Sequence, residues 1–463
     1  MISKNKQRIA VIVLIVLMLI AGISTAFAQT KNEQRQARAF AEQGDKAYRQ
    51  KDYAAAAQFY GQSLTIVPTN PQLHFFKANA HYYLKQYDDS EREFALSLSQ
   101  GFKPIEIYKV RWYLYYDQKK YDLALADINK GLQLDQRNIF LLKGLGEIAF
   151  QQGDYQSSLN GYQKALLIAP KDGDLYYQIA RVYSAMGNLA AQASSAEEAI
   201  KRGTVNVGEA YYLLGNARSR SKNYLSATDA YNRAISAKPT IYQVYSDLAR
   251  IYQQENQLSN AIETLKKGLI AFPRDGLLYT DISWYYSLAD RPKDAVDAAK
   301  AATQLLPDQY MGYTNLCRAL NESKEYRDAI TACNNGLRLN ARDGETLFYL
   351  GRANDLLGRT REATGYYARA VTGLIEFTKA NPDYADGFYL LGNAYFADNQ
   401  RDRAIESYLK CLEVNRNFVK ARYNLGIIYV LKKNKTAAQQ QHSFLLVQDA
   451  ALAAKLKAEI DKL

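Results

Sequence analysis

Residues 142–170, LKGLGEIAFQQGDYQSSLNGYQKALLIAP, and residues 212–239, YLLGNARSRSKNYLSATDAYNRAISAKP, decide the fold of this 463-residue chain. A glycine, two tyrosines, an alanine and a final proline fall in the same register in both stretches. Gly146 matches Gly215, which is 69 residues later, one more than two periods of 34. The same frame fits twelve times along the sequence, and such self-similarity predicts a tandem array of one structural unit.

Two positions of the 34-residue unit are small. Position eight is small in eleven units, with Trp112 as the exception: Gly44, Ala78, Gly146, Ala180, Gly215, Ala249, Ser283, Cys317, Gly351, Gly392 and Gly426. Position twenty is also small in eleven units, with Gln192 as the exception: Ala56, Ser90, Ala124, Ser158, Ala227, Ala261, Ala295, Ala329, Ala363, Ala404 and Ala438. Position twenty-four is usually large, for example Tyr162 and Tyr231. This alternation predicts two helices per unit whose backbones approach closely.

The prolines agree with this division into units. Five of them occupy position thirty-two, the expected turn between units: Pro68, Pro170, Pro239, Pro273 and Pro307. Pro71 and Pro104 are expected in the same turns, and Pro292 is expected to begin a second helix, where its missing N–H is tolerated. No proline lies in the interior of a predicted helix, where it would destabilise the helix.

These small, aromatic and proline positions resemble those of the tetratricopeptide repeat family. The resemblance covers residues 37–450 and implies an all-α fold, an α-solenoid in which about twelve helix-turn-helix repeats form a right-handed superhelix. Residues 29–36 are expected to be a linker, and residues 378–384 an insertion that lengthens a second helix and its loop and bends the stack. Residues 451–463 carry an apolar stripe and are expected to form a capping helix.

The N-terminus has the pattern of an export signal. Basic residues precede the apolar run at 9–23, and the small-residue pattern at 26–28 fits signal peptidase. We expect residues 1–28 to be removed and the product to be periplasmic or secreted. The alternative is an uncleaved membrane anchor formed by residues 9–23, although 15 residues are fewer than the roughly 20 of a typical span.

The net charge gives little reason to expect a nucleic-acid partner. The chain has 59 Lys and Arg against 47 Asp and Glu, a formal charge of +12. Removal of Lys4, Lys6 and Arg8 with the signal leaves 56 basic side chains and a charge of +9. These basic residues are spread along the whole chain instead of forming one patch, so we expect no nucleic-acid binding.

The sequence has few residues suited to catalysis. Only three histidines occur, and His74 and His81 fall at inward positions of one helix without further ligands nearby in the pattern. Phosphate-loop, nucleophile-elbow and zinc-protease motifs are absent. We therefore expect no enzyme activity, metal or cofactor, and about 15 residues after the last repeat leave no room for a transferase domain, which needs roughly 100.

The cysteines leave two interpretations open. Cys317 and Cys333 occupy positions eight and twenty-four of the ninth repeat, which lie opposite each other in an antiparallel hairpin. In an oxidising compartment they form a disulfide, whereas the alternative is a pair of buried thiols. Cys411 is expected to be an unpaired packing residue.

The strongest functional signal lies on the first helices. In this family these helices line a concave groove, and the resemblance implies that positions two, five, nine, twelve and thirteen project into it. Position nine supplies hydrogen-bond donors: Asn79, Arg181, Asn216, Arg250, Arg318, Arg352 and Asn393. Position five supplies aromatic rings: Phe75, Tyr177, Tyr212, Phe348, Tyr389 and Tyr423.

Donors interleaved with rings suit an extended polypeptide, because amides and guanidinium groups bond its carbonyl groups while rings pack its side chains. The leading hypothesis is a non-enzymatic, exported scaffold that binds other proteins or peptide segments. The alternative is an accessory subunit of a cell-envelope assembly for polysaccharide or pilus export. A third interpretation is that the row of residues only stabilises neighbouring helices or solvates the groove.

Overall fold

The computed structural model describes residues 31–238, 240–255 and 257–463. The expected signal peptide and Pro239 lie outside these residues. The described part of the chain is all-α and contains 25 helices, which confirms the predicted fold class. In this part, no helix is both long enough and apolar enough to cross a membrane.

The chain divides into two compact units between Val205 and Asn206. This boundary coincides with the residue added to the repeat period near Val205 to Val207. The ten described helices of the first unit are α1 (Lys31–Arg49), α2 (Tyr53–Ile66), α3 (Pro71–Tyr83), α4 (Tyr87–Ser99), α5 (Pro104–Asp117), α6 (Tyr121–Leu134), α7 (Ile139–Gln151), α8 (Tyr155–Ile168), α9 (Gly173–Met186) and α10 (Leu189–Lys201). They pair into five helical hairpins.

The second unit contains the other seven hairpins and a final helix. Its helices are α11 (Val207–Arg220), α12 (Tyr224–Ser236), α13 (Gln243–Gln254), α14 (Leu258–Ala271), α15 (Gly276–Leu288), α16 (Pro292–Leu305), α17 (Tyr310–Glu322), α18 (Tyr326–Leu339), α19 (Gly344–Leu356), α20 (Thr360–Ala380), α21 (Ala385–Ala397), α22 (Arg401–Val414), α23 (Val419–Leu431), α24 (Lys435–Gln448) and α25 (Ala450–Ile460). The last helix, α25, packs against α24 and α23. Its Leu456 contacts Gly426, the small residue at position eight of the last repeat.

The two small rows of the repeat bring the helices of a hairpin together. The Ser158 hydroxyl on α8 donates to the carbonyl of Gly146 on α7 at 2.7 Å, and Ser90 makes the same bond to Ala78 at 2.8 Å. A Cβ added to Gly146 would lie 2.7 Å from the Tyr162 ring. The tyrosine at position twenty-four therefore fills the space that the glycine at position eight leaves open.

Helix starts follow from capping side chains and prolines. Asp154, for example, accepts a hydrogen bond from the backbone N–H of Ser157 at 3.0 Å and so caps α8. Pro292 begins α16 as predicted, whereas Pro71 and Pro104 are the first residues of α3 and α5 and do not lie in the preceding turns. Backbone N–H groups in the first turn of a helix have no partner within the helix, so proline, which lacks this group, is accepted there.

Two segments differ in length from the regular hairpins. α1 begins at Lys31, so residues 31–36 are helical and the linker predicted for 29–36 is wrong over this range. The first buried residue of α1 is Ala37. Residues 31–36 before it are exposed and form the first turns of the same helix. α20 has 21 residues, against 13 or 14 in other second helices, and it ends inside the predicted insertion at 378–384.

Candidate binding site

The second unit encloses a cavity of about 790 Å³ on the side of its first helices. Residues of α13, α15, α17 and α19 line it, together with the end of α20 and the loop that follows. We call it the central cavity, defined by six of its lining side chains: Arg250, Asp281, Trp284, Tyr285, Arg318 and Tyr384. Its volume is in the range of small-molecule sites in proteins.

The insertion supplies one wall of the central cavity. Phe377 lies in the last turn of the long helix α20 and packs edge-on against Tyr384, with the ring centroids 5.8 Å apart. Two residues later, the Asp386 carboxylate accepts a hydrogen bond from the Gln253 side-chain amide on α13 at 3.3 Å. This bond joins residues 133 positions apart. Within the second unit, the first-helix groove is thus bridged at this level instead of running open.

Arg318 is held in the wall and does not project freely. Its side chain is 3% exposed, and it forms an ion pair with Glu345 on α19. The guanidinium carbon lies 4.0 Å from the centroid of the Trp284 ring, a cation–π contact. Its Nε and Nη1 atoms are buried without a hydrogen-bond partner among the described residues. The predicted donor is therefore at the site, but its contacts order the wall.

Arg250 is an accessible cation of the cavity, and the exposed Arg342, in the loop before α19, is another. Arg250 pairs with Asp247 at 3.2 Å while 62% of its side chain stays exposed. Asp247 also accepts a hydrogen bond from the hydroxyl of Tyr212 at 3.1 Å. Of the predicted groove residues, Arg250 and Arg318 line the central cavity itself, and Tyr212 contacts it indirectly through Asp247.

Two acidic side chains, Asp281 in the cavity wall and Asp386 beside the cavity, have raised pKa values. Burial raises the pKa of Asp281, against the hydrogen bond from the Ser246 hydroxyl and the charge of Arg250. Burial also raises the pKa of Asp386 to about 6, against the charge of Arg318 and the hydrogen bond from Gln253. Both carboxylates are consequently harder to keep ionised than a carboxylate in water.

A second cavity of about 430 Å³ lies nearer the C-terminus of this unit. We call it the C-terminal cavity, and it gathers four predicted residues: Phe348, Arg352, Tyr389 and Asn393. Arg352 is exposed at its wall. The side-chain oxygen of Asn393 accepts hydrogen bonds from Tyr408 at 2.6 Å and from Asn424 at 2.9 Å. Guanidinium and amide donors here surround a ring-lined space.

The predicted residues of the first unit are engaged in packing. Asn79 donates to the Phe75 carbonyl of its own helix at 2.7 Å, and the Phe75 ring stacks on Phe102 at 4.7 Å. Arg181 lies 4.6 Å from the Phe150 ring centroid. It also pairs with Glu147 at 3.3 Å.

The remaining three predicted residues lie outside both cavities. Tyr177 is half-buried on α9, Asn216 lies on α11, and Tyr423 packs half-buried on α23 beside the capping helix. These three positions are not brought together with the cavity residues.

Several residues in and beside the central cavity are not among those that the sequence predicted. Trp284 follows Ser283 and therefore occupies position nine, the same register as Arg250 and Arg318. Glu345 and Asp386 occupy position two, another groove position of the family. A search of all residue types at these positions would have found them. Tyr384 belongs to the insertion, which has no register, so no sequence signal placed it in the cavity.

The cysteines and histidines have clear surroundings. The structure joins Cys317 to Cys333 in a disulfide with their Cα atoms 5.1 Å apart, and Cys411 is buried and free. His74 contacts the Glu93 carboxylate at 2.5 Å and the Pro68 carbonyl at 3.1 Å. In the described part of the chain, no group of three or more His, Cys, Asp or Glu could hold a metal ion.

Models of known families match four segments of the chain. A tetratricopeptide repeat model matches residues 177–240 and 357–410, and a second one matches residues 242–270. A model described as a TPR repeat matches residues 392–433. These four segments of the chain match tetratricopeptide repeats. The hairpins within these segments are thus the units that the resemblance implied.

Curated proteins with such repeats are similar over parts of the chain. The small glutamine-rich tetratricopeptide repeat-containing protein of Dictyostelium discoideum is 34% identical over 98 residues, 21% of this chain and 29% of that protein. The Hsp70-Hsp90 organizing protein of Triticum aestivum is 21% identical over 254 residues, 47% and 43% of the two chains. Protein O-mannosyl-transferase TMTC1 of Homo sapiens is 27% identical over 130 residues, 27% and 15%. The matches span less than half the length of these relatives.

Solved structures also match the chain, at low sequence identity. The Cut9-Hcn1 hetero-tetramer of the APC/C is matched over 94% of this chain and 98% of that chain, with 14% identity and a TM-score of 0.44. A tetratricopeptide repeat protein from Parabacteroides merdae is matched over 55% and 98%, with 14% identity and a TM-score of 0.43.

Proposed function

We propose that this tetratricopeptide repeat chain is a non-enzymatic, exported scaffold that binds segments of partner proteins on the first-helix side of its second unit. The observation that carries the proposal is the pair of ring-lined cavities on this side, each with guanidinium or amide donors at its wall. Donors of this kind bond peptide carbonyl groups, and aromatic rings supply large contact areas at little entropic cost.

The preformed walls favour binding over a purely structural role. Arg318 is fixed by Glu345 and Trp284, so a partner meets an ordered surface and the scaffold loses little conformational freedom. Exposed side chains remain at both cavities: Arg250 and Met311 at the central cavity and Arg352 at the C-terminal cavity. Side chains that served only helix packing would not need to remain accessible.

Export is supported by the sequence of residues 1–28 alone, with its basic start, apolar run and small residues before the expected cleavage site. N-terminal sequencing of the protein purified from its native host tests this part of the proposal. A mature protein that starts at Gln29 supports export, and an intact Met1 in a cytoplasmic fraction contradicts it.

Photo-crosslinking in living cells tests the binding site. A photoreactive amino acid replaces Met311, which lines the central cavity and is 54% exposed, and in a matched control it replaces Leu225, which is 83% exposed on the second helix α12. We expect discrete protein adducts from position 311 and few from position 225. Equal labelling from both positions, or none from position 311, would contradict the proposal. Captured polymer-export or pilus components would favour the accessory-subunit alternative.

A further inference from the structure

Arg318 brings two unused hydrogen-bond donors to the wall of the central cavity that α17 and the start of α19 form. Its Nη2 group donates to Glu345, whereas the Nε and Nη1 groups are buried and have no partner among the described residues. A buried donor without an acceptor destabilises the folded state, and an acceptor placed beside it removes that cost. This wall therefore lacks hydrogen-bond acceptors.

Arg342 supplies a free positive charge at the same wall. It lies in the loop before α19, three residues before Glu345, and its exposed side chain lines the cavity. Its backbone N–H bonds to Asn340, but within the described part of the chain its guanidinium group forms neither an ion pair nor a hydrogen bond. The charge of Arg342 is therefore available to a ligand.

The backbone that carries Arg342 is held in place. Arg369 on α20 donates to the carbonyl of Ala341 at 3.3 Å, and the backbone N–H of Arg342 donates to the Asn340 side chain at 3.3 Å. The Arg342 carbonyl packs against Gly373 of α20 so closely that no Cβ fits there. A ligand that binds Arg342 consequently orders little of the scaffold.

The two acidic side chains of this wall are already engaged. Asp343 caps α19 and accepts a hydrogen bond from the backbone N–H of Thr346 at 2.9 Å. Glu345 gives Arg318 one acceptor, but a guanidinium group carries five N–H donors. Neither carboxylate therefore satisfies the free donors of the wall.

Two further carboxylates limit how much negative charge the cavity accepts. Asp281 on α15 and Glu376 on α20 also line it, and neither forms an ion pair with another described residue. A ligand with several negative charges would be repelled by them. The cavity therefore suits a single carboxylate better than a polyanion.

We propose that Arg318 and Arg342 bind the side-chain carboxylate of one aspartate or glutamate in the partner segment. The identity of the carrier rests on the proposed function, whereas the preference for a carboxylate rests on the two guanidinium groups. The two oxygens of a carboxylate match the paired N–H donors of a guanidinium group. The donors of Arg318 lie within the wall, where the tip of a side chain reaches them more readily than the terminal carboxylate of a main chain does.

The experiment compares three short peptides by calorimetric titration of the full chain. The first is acetyl-Ala-Ala-Glu-Ala-Ala-amide, the second has glutamine in place of glutamate, and the third is the glutamine peptide with a free C-terminal carboxylate. We expect the glutamate peptide to bind at least about tenfold more tightly than either glutamine peptide. High salt should reduce this difference, because it screens charges.

Three variants assign the preference to the wall. Arg342→Gln should weaken the glutamate peptide about fivefold and leave the amidated glutamine peptide unchanged. Arg318→Lys keeps the charge but removes the fork of donors, so it should also weaken the glutamate peptide. The matched control is Arg361→Gln, an exposed arginine in the first turn of α20 that lines neither cavity, and it should change nothing.

Equal affinity for the glutamate and glutamine peptides, no binding of the glutamate peptide at millimolar concentration, or equal effects of R342Q and R361Q would overturn the inference. The free-terminus peptide binding as tightly as the glutamate peptide would overturn its assignment to a side chain. Circular dichroism of each variant separates loss of binding from loss of folding, and R342Q, an exposed change, provides the readout if R318K unfolds.

Crosslinking from position 311 tests the proposed function independently. Protein adducts without discrimination among the peptides would refute the carboxylate preference alone, whereas discrimination without adducts would refute the protein partner alone.

Discussion

At the residue scale, Asp386 shows how a distant contact changes the chemistry of one side chain. It lies in the first turn of α21 at an ordinary groove position, but the bridge to Gln253 encloses it against α13. Burial raises its pKa to about 6 despite the charge of Arg318 and the bond from Gln253, whereas an ordinary aspartate has a pKa near 3.8. The folded protein therefore binds this proton more tightly than the unfolded chain does.

The Asp386→Asn variant should gain stability relative to the wild type as the pH rises. Ionising Asp386 costs folding free energy, and this cost is absent below the unfolded pKa and complete above the folded pKa of about 6. The relative gain should grow by up to about 3 kcal/mol between pH 4 and pH 7.5. Urea unfolding of both proteins across this range measures it, with D297N as the control. A stability difference that does not change with pH would contradict the assignment.

Glu93 in the first unit represents the opposite case. Burial opposes ionisation of Glu93, but the hydrogen bonds from Lys77 at 2.7 Å and from His74 at 2.5 Å outweigh it and hold its pKa below the ordinary value. Its ionised form stabilises the fold above the unfolded pKa, and this contribution is lost as the pH falls through the lowered folded pKa.

We expect Glu93→Gln to destabilise the protein by about 3 kcal/mol at pH 7, because the ammonium of Lys77 and the imidazole of His74 lose their partner in a largely buried site. The loss should shrink in acid, where the wild type also loses the charge. The matched control is Asp89→Asn, which breaks an exposed pair with Arg92 and should cost less than about 1 kcal/mol. Thermal unfolding at pH 7 and at low pH provides the comparison, and equal costs for the two variants would refute the prediction.

At the element scale, the hairpin depends on a glycine facing a tyrosine. Gly215 on α11 lies under the Tyr231 ring of α12, and an added Cβ would come within 2.5 Å of it. The sequence predicted this contact because both positions recur at fixed spacing in the repeat. Position eight is small because position twenty-four of the same unit occupies its space.

Gly215→Ala should therefore destabilise the second unit by about 2 kcal/mol, the cost of overpacking a filled core. Gly365→Ala on α20 is the control, since its added Cβ meets no atom within 4 Å and alanine favours a helix by up to about 1 kcal/mol. Adding Tyr231→Leu to Gly215→Ala should recover part of the loss. Denaturant unfolding of the four proteins tests this, and similar stabilities of G215A and G365A would show that the helices do not approach closely.

The Cys317–Cys333 disulfide joins α17 to α18 in the hairpin that carries Arg318. In protein from an oxidising compartment, alkylation under denaturing but unreduced conditions should label Cys411 alone, and reduction should expose all three cysteines. Replacing both bonded cysteines with serine should cost about 3 kcal/mol, as closing a loop of this length suggests. Labelling of Cys317 without reduction, read by mass spectrometry, would favour the two buried thiols.

At the scale of the whole molecule, the repeats were predictable and the cavity was not. Helix spacing is local, so Gly146, Tyr162 and their equivalents fixed the hairpins from the sequence alone. The bridge from Gln253 to Asp386 depends on the summed geometry of the intervening hairpins and on a long α20, which no single repeat encodes. The predicted groove row therefore separated into cavity residues, such as Arg250, and packing residues, such as Asn79.

The central claim is that the first-helix side of the second unit receives a partner segment. Hydrogen–deuterium exchange of the full chain, alone and with the protein captured by crosslinking, tests it most directly, because bound segments protect the amides that they cover. We predict slower exchange in α13, α15, α17 and the first turns of α21, with little change in α1–α10. Protection confined to the second helices, or to the first unit, would contradict the claim.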